Sequence, residues 1–243
     1  YVMQATKTSL DSYASVLMRG NKVVTKKVLE RAGISVPGGY EYTSPEAGMA
    51  DYRLYAGKPV VIKPKSTNFG LGITILKHNY DETDFKAALQ IAFEHDNTVL
   101  IEKFIPGREF RIFIINDEVV GILHRVPANV TGDGVLNIGQ LIDMKNEDPL
   151  RGKGYRTPLE KIRKGREEEM FLKQQGMDFN TVPKEREVVY LRENSNISTG
   201  GDSIDFTDDI DDSYKAIAVE AAKALNVKIT GLDMMIQDIH APA

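Results

Sequence analysis

Apolar positions recur at helical spacing in three stretches of the chain. Over residues 21–33, Val24, Val28, Leu29 and Ala32 fall on one face, and Gly33 supplies a stop. Over 84–95, Phe85, Ala88, Leu89, Ala92 and Phe93 line one side. Over 213–225, Ala216, Ile217, Val219, Glu220, Ala221 and Ala224 make a pattern that buries one side. Short apolar runs predict strands at 60–62, 73–76, 99–101, 110–115, 119–124, 188–191 and 229–236. The first two flank a glycine-containing stretch, 66–72, and so predict a hairpin around a mobile loop. Asn116-Asp117 signals a tight turn between two strands. Residues 127–187 break the pattern. They are rich in Gly, Asn, Asp and charge, hold one strongly charged helix at 158–175, and read as an insertion or lid rather than sheet. This order predicts an α+β fold with mostly antiparallel sheets, not the regular alternation of a doubly wound fold.

Composition narrows the chemistry. The chain has 31 basic and 35 acidic side chains, a formal charge of −4, which argues against a nucleic-acid backbone as the partner. There is no Cys, so disulfides, Cys-ligated zinc and thiol catalysis are excluded. No apolar run approaches the ~18 residues of a membrane span, and no signal peptide is legible. These features fit a cytoplasmic protein. The chain opens on Tyr1 and stops at Ala243, just after a strand-like run, which reads as part of a longer protein.

Four clusters could carry chemistry. In the first, the strand at 60–62 runs into Lys63-Pro64 and then Ser66-Thr67-Asn68-Phe69-Gly70-Leu71-Gly72. A lysine at the end of a buried strand is costly unless it meets an anion or a carboxylate. A loop with two glycines can bring backbone N–H groups to phosphate oxygens. Together they suggest a triphosphate clamp, though not a Walker A sequence; an ordinary hairpin with a snorkelling lysine fits equally. In the second, Glu102-Lys103-Phe104-Ile105 leads to Glu109, a linker whose backbone could pair with adenine and whose carboxylate could accept from ribose. The bland alternative is an edge strand with a solvated turn. The third runs from Arg192 through Asn196, Ser198 and Thr199 to Gly200-Gly201, a loop able to hold an anion through guanidinium and backbone N–H groups. The fourth is Asp233 in an apolar strand, matched either by a hard cation or by a salt bridge.

The order of these motifs resembles the ATP-grasp ligases. Asn21-Lys22 with its helix, Ile62-Lys63-Pro64, the Gly70/Gly72 loop, Glu102 to Ile105, Glu109, the Arg192 loop and Asp233 follow that family's sequence of motifs. Within it, residues 21–29, 104–111 and 198–201 are similar to the glutathione synthetase module of bacterial bifunctional glutamate–cysteine ligase/glutathione synthetases. The module of cyanophycin synthetases is close, including a stretch like residues 129–134.

The resemblance implies two α+β lobes with mostly antiparallel sheets gripping ATP, plus a lid-like insertion. The expected division is a lead-in at 1–20, an N-terminal lobe at 21–98 and a C-terminal lobe at 99–243, with the insertion at about 127–187. It implies Lys22, Lys63, Ser66, Gly70 and Gly72 on the phosphates, Glu102, Lys103, Phe104 and Ile105 on adenine, and Glu109 on ribose. Arg192, Asn196, Ser198, Gly200 and Gly201 would face the acceptor carboxylate or acyl phosphate. Asp233 would bind Mg2+, with Mn2+ as an alternative. The family carries a further Glu and Asn after the Asp233 position, and nothing after Asp238 supplies them, so a C-terminally truncated, weakly active module is expected. The implied reaction joins γ-glutamylcysteine and glycine through an acyl phosphate, with a fused glutamate–cysteine ligase module upstream; a homodimer is compatible. The alternatives are addition of an amino acid to a peptide, as in cyanophycin synthesis, and a nucleotide-binding module without catalysis.

Overall fold

The computed structural model describes residues 2–4, 7–67, 72–77, 79–154, 156–192 and 195–243. The chain divides into two compact units. The first comprises residues 1–107, 112–120 and 210–243, and the second 108–111 and 121–209. Among the described residues no helix is long and apolar enough to cross a membrane.

The first unit opens with strands β1 (Val2–Gln4) and β2 (Lys7–Thr8) and helices α1 (Tyr13–Gly20) and α2 (Lys22–Arg31). Strand β3 (Gly39–Tyr42), helices α3 (Pro45–Ala50) and α4 (Tyr52–Tyr55), strands β4 (Val60–Pro64) and β5 (Thr74–Leu76), helix α5 (Glu82–Phe93) and strand β6 (Val99–Lys103) follow. Asn21 starts α2: its side chain accepts from the N–H groups of Val23 and Val24, satisfying two of the helix's unpaired donors. Asp81 and Asp84 form a reciprocal capping box on α5. That helix therefore begins before its first apolar residue, two residues earlier than the periodicity predicts.

Strands β3, β6, β4 and β5 form one sheet in that order, every pair antiparallel. The expected hairpin is the β4–β5 pair, in which Val60 faces Leu76. Val60 and Ile62 bury one face of the sheet against Phe85, Ala88, Leu89 and Ala92 of α5, with Tyr42 and Tyr55 closing the core. Alternation along β4 sends Lys63 to the other face. The expected boundary at 98/99 falls just before β6, whereas the compact units part at 107/108. The reason is pairing: β6 fills the middle of this sheet and cannot be separated from β3 and β4.

Strands β7 (Arg108–Ile115) and β8 (Glu118–Val126) pass through both units. Asn116 and Asp117, both at positive φ, make the tight turn between them. The second unit continues with β9 (Asn129–Thr131), α6 (Ile138–Lys145), β10 (Arg151–Gly152), β11 (Leu159–Glu160), α7 (Arg166–Gln174), β12 (Val188–Tyr190), a 3-10 turn at Ile197–Thr199, and β13 (Asp202–Asp205). Helix α8 (Asp212–Ala224) and strand β14 (Ile229–Ile236) belong to the first unit.

The stretch 127–187 does carry strands, contrary to its reading as a sheet-free insertion. β9 pairs antiparallel with β12, and β10 pairs in parallel with β11. Ala128, Val130, Ile138, Leu141, Ile142, Ile162, Leu172, Val189 and Leu191 form a hydrophobic core here. The helix expected at 158–175 starts only at Arg166, because Leu159 and Glu160 are held in the ladder with Arg151 and Gly152. Helix α6 escaped the sequence reading although Ile138, Leu141 and Ile142 sit at helical spacing behind an Asn137/Gln140 capping box.

Candidate functional site

In the first unit, the register of the sheet gathers positive charge around one carboxylate. Glu102 lies opposite Val61 on β4, and Lys63 lies opposite Leu100, so Lys63 and Glu102 are diagonal neighbours on one face. On its other side Glu102 lies opposite Gly39, where a Cβ would sit 2.2 Å from the Ile101 carbonyl oxygen; only glycine lets β3 approach this closely. The Lys63 Nζ is 2.5 Å from one Glu102 oxygen, and the Lys26 Nζ donates to the other at 2.8 Å. Glu102 is buried, with 4% of its surface exposed. Burial raises its carboxyl, but the Lys63 charge and the hydrogen bonds from Lys26 and Lys63 prevail and hold it below the usual carboxylate range.

Lys22, one helical turn before Lys26, joins this group through its Nζ, which donates to the Thr67 carbonyl at 3.0 Å. Burial and the nearby Lys63 charge push the Lys22 ammonium down, against the opposing pull of Glu102 and Asp96. Lys26 and Lys63 thus share the Glu102 carboxylate, while Lys22 lies in the field of both Glu102 and Asp96. A cluster with excess cations, one of them destabilised in its charged form, is suited to an incoming polyanion. Lys26 was missed by sequence reasoning, although its i, i+4 spacing from Lys22 places both on one face of α2.

The loop after β4 is anchored at its start. The backbone N–H and hydroxyl of Ser66 both donate to Asp96, at 2.7 and 2.6 Å. Those bonds, the hydroxyl first, hold Asp96 below the usual carboxylate range. Gly70 lies outside the described residues, and Gly72 resumes them at φ +72°. At the end of β6, Lys103 is exposed and its N–H donates to the Gly38 carbonyl. The Phe104 N–H donates to the Pro59 carbonyl at 3.0 Å, so it is not the donor an adenine edge would use. Lys77 sits 5.4 Å over the Phe104 ring, and Ile105 is half-buried.

Asp233 is exposed on β14, on the same strand face as Gly231 and Met235. Its place in an apolar strand therefore does not bury it. Among the described residues no three His, Asp or Glu side chains converge as a metal shell. A single exposed carboxylate fits an ion such as Mg2+ that takes one or two carboxylates and completes its shell with water and phosphate oxygens.

In the second unit, Glu109 is the centre of a separate cluster. One carboxylate oxygen pairs with Arg125 at 3.0 Å and the other accepts from the Ser195 hydroxyl at 2.9 Å. Arg125 also donates to the Asn196 side-chain oxygen at 2.6 Å and to the Ser195 carbonyl at 3.2 Å. Arg125, which sequence reasoning passed over, thus joins Glu109 to the 195–201 loop. Its only sequence signal was an arginine inside a strand, next to His124.

The loop itself differs from the expectation of free backbone donors. The Thr199 and Gly201 N–H groups return to the Asn196 carbonyl, and the Gly200 N–H to Ile197. These amides fold the turn and are not aimed at a ligand. Ser198 is half-buried on the 3-10 turn. Arg192 is drawn elsewhere: its guanidinium binds Glu168 at 2.6 Å and Glu167 at 2.5 Å, both on α7. The guanidinium that meets Asn196 is that of Arg125.

The model of the family described as the D-ala D-ala ligase C-terminus matches residues 41–140. The glutathione biosynthesis bifunctional protein of Desulfotalea psychrophila is 61% identical over 243 residues, covering 100% of this chain and 31% of that protein. The crystal structure of a bifunctional glutathione synthetase from Pasteurella multocida matches with a TM-score of 0.69 at 50% identity, over 98% of this chain and 32% of that one. D-alanine–D-alanine ligase from Bacillus anthracis shares the fold at a TM-score of 0.56 and 20% identity, over 95% of this chain and 57% of that one. The chain has an ATP-grasp fold. It is homologous to a stretch of the bifunctional glutathione biosynthesis proteins, and it spans 31% of the length of those from Desulfotalea psychrophila and Clostridium perfringens.

The residues that the resemblance assigns to the site fall in both units. Lys22, Lys63, Ser66, Gly72, Glu102, Lys103, Phe104, Ile105 and Asp233 lie in the first, and Glu109, Arg192, Asn196, Ser198, Gly200 and Gly201 in the second. The sheet register joins Lys63 to Glu102 and, with α2, adds Lys26. The second unit joins Glu109 to Asn196 through Arg125 and separates the Arg192 guanidinium from them by committing it to α7.

Proposed function

We propose that this chain is the nucleotide-binding and carboxylate-activating part of an ATP-dependent ligase that joins γ-glutamylcysteine and glycine. The observation that carries the nucleotide half is the Lys22, Lys26 and Lys63 cluster, in which three ammonium groups meet only the Glu102 and Asp96 carboxylates. The substrate half rests on the 61% identity to a glutathione biosynthesis bifunctional protein along the whole chain.

In this reading Lys22 and Lys63 bind the terminal phosphates of ATP, and the loop begun by Ser66 covers them. Their charges offset the negative charge that spreads over the transferring phosphoryl group. The γ-glutamylcysteine carboxylate attacks the γ-phosphorus, giving an acyl phosphate and ADP. The glycine amine then attacks the carbonyl carbon and phosphate leaves. Asp233 would hold Mg2+, whose contribution is to neutralise phosphate charge. Glu109 accepts from ribose hydroxyls, and Asn196, Ser198 and the Gly200-Gly201 turn orient the acceptor. The protein supplies position and electrostatics, with no covalent intermediate on a side chain. A glutamate–cysteine ligase module fused upstream would deliver the substrate.

The test is ADP release by the full-length protein with ATP and Mg2+. Release that requires both γ-glutamylcysteine and glycine supports the proposal. Release with a cyanophycin primer and aspartate instead would overturn the substrate assignment. No release with either pair, alongside ATP binding, would leave a nucleotide-binding module without ligase activity.

A further inference from the structure

Beneath the 196–201 turn lies a charged network that the nucleotide cluster does not use. Arg151 on β10 has 1% of its side chain exposed. Its guanidinium donates to the carbonyls of Gly200 and Glu160, each at 2.9 Å, and pairs with Asp202 at the start of β13. The other Asp202 oxygen accepts from Lys145 at the end of α6, at 2.6 Å, and from the Asn129 amide on β9, at 3.0 Å. Lys145 also donates to the Asn129 backbone and side-chain oxygens, at 2.9 and 3.1 Å. One network therefore ties five segments of the second unit, β9, α6, β10, β11 and β13, to the turn.

Two features set it apart from an ordinary salt bridge. First, a buried ion pair is seldom the most stable filling for a core, and apolar residues of similar size serve as well or better. Here the guanidinium is spent on main-chain oxygens, and so fixes backbone position. Its target, Gly200, has φ +92°, and a Cβ there would sit 2.7 Å from the Ile162 Cα. The turn is thus pressed against Ile162 and held from beneath by Arg151. Second, Arg151 and Lys145 meet the same carboxylate, so Asp202 alone does not neutralise both.

We propose that Arg151, Asp202 and Lys145 are positioning residues that hold the 196–201 turn in its binding form, with Lys145 biasing it toward an anionic acceptor. The acceptor's identity as a peptide carboxylate rests on the ligase reading above; the positioning role does not.

Two variants of the full-length protein separate position from charge. Arg151→Lys keeps a cation on Asp202 but cannot also span two carbonyls. It is expected to speed hydrogen exchange at the Thr199, Gly200 and Gly201 amides at least tenfold. It should also raise the KM for γ-glutamylcysteine at least tenfold, with the KM for ATP within twofold. Lys145→Gln removes the ammonium charge at a side chain 27% exposed. It should raise the γ-glutamylcysteine KM several-fold with exchange at those amides unchanged. Unchanged exchange in Arg151→Lys overturns the positioning role, as does an equal rise in both KM values, which marks general damage. If that variant does not fold, an unchanged γ-glutamylcysteine KM in Lys145→Gln overturns the charge role. Asp202→Asn, which leaves both cations without a counter-charge, then replaces Arg151→Lys in the exchange measurement, with the same expectation. If the wild type ligates nothing, the ligase reading fails and the exchange result alone decides the positioning role.

Discussion

Replacing Glu102 by Gln isolates the charge at the centre of the lysine cluster. The two side chains have the same shape, so packing is retained. Gln keeps one oxygen acceptor and presents an NH2 group where the second oxygen stood. Lys26 and Lys63 each bond a different Glu102 oxygen, so one of them then faces a donor. A hydrogen bond to a charged group contributes about 1.5–3 kcal/mol. The two lysines are 22% and 24% exposed and regain some hydration, which places the loss near 2 kcal/mol. For a chain of 243 residues each kcal/mol moves Tm by about 2–4 °C, so Glu102→Gln should lower Tm by about 4–8 °C at pH 7. The sign of the pH dependence follows from the depressed Glu102 carboxyl. Its stabilisation is present above the unfolded value of about 4.3 and is lost as pH falls through the lower folded value. The wild type loses this contribution in acid and the variant has none to lose, so the gap in Tm should close as pH drops below about 4. Thermal melts of both proteins across that range decide it. A gap that stays constant into acid, or no gap at pH 7, refutes the argument that a charged Glu102 orders the lysines.

Lys63→Met should weaken ATP binding by at least thirtyfold, roughly the 2 kcal/mol of a charge-assisted contact, measured by calorimetry; an unchanged Kd removes Lys63 from the phosphate site. ATP affinity should fall as pH rises through the lowered Lys22 value, because above it the amine is neutral and binding must take up a proton. Calorimetry in buffers of different ionisation enthalpy reads that uptake, which Lys22→Met should abolish. Gly200→Ala should destabilise the second unit by about 2 kcal/mol or more, through the left-handed backbone and the contact with Ile162; a melt within 1 °C of wild type would refute the packing argument.

Much of the first unit was legible because periodicity and pairing agree there. β4, β5, β6 and α5 each bury an apolar face on the same core, so local pattern and tertiary structure point one way. β3 and α3 were not legible: β3 is mostly exposed along its length, and α3 is six residues long. In the second unit, polar composition masked β9, β10, β11 and α6. Their core is assembled from residues far apart in sequence, such as Val130, Ile162 and Val189, and no window of contiguous residues shows it. At the candidate site, residue types were readable and partners were not. Lys63 at a strand end announced a need for an anion, but only the sheet register identifies Glu102 as the group that meets it. Arg192 had the right chemistry for an acceptor site and the wrong neighbours, because α7 brings Glu167 and Glu168 to it.

A formal charge of −4 describes the chain and says little about what either cluster attracts. Around Glu102 two ammonium groups share one carboxylate with Lys22 nearby, and around Asp202 a guanidinium and an ammonium share another. In both places the carboxylate is too little to neutralise its neighbours but enough to order them, by giving flexible cationic side chains a fixed partner. Removing the carboxylates would raise the local positive charge and yet release the lysines to solvent, where their rotamer entropy opposes capture of a ligand. Acids outnumbered by bases keep cations organised and incompletely neutralised, so a chain of net negative charge still presents a locally positive site.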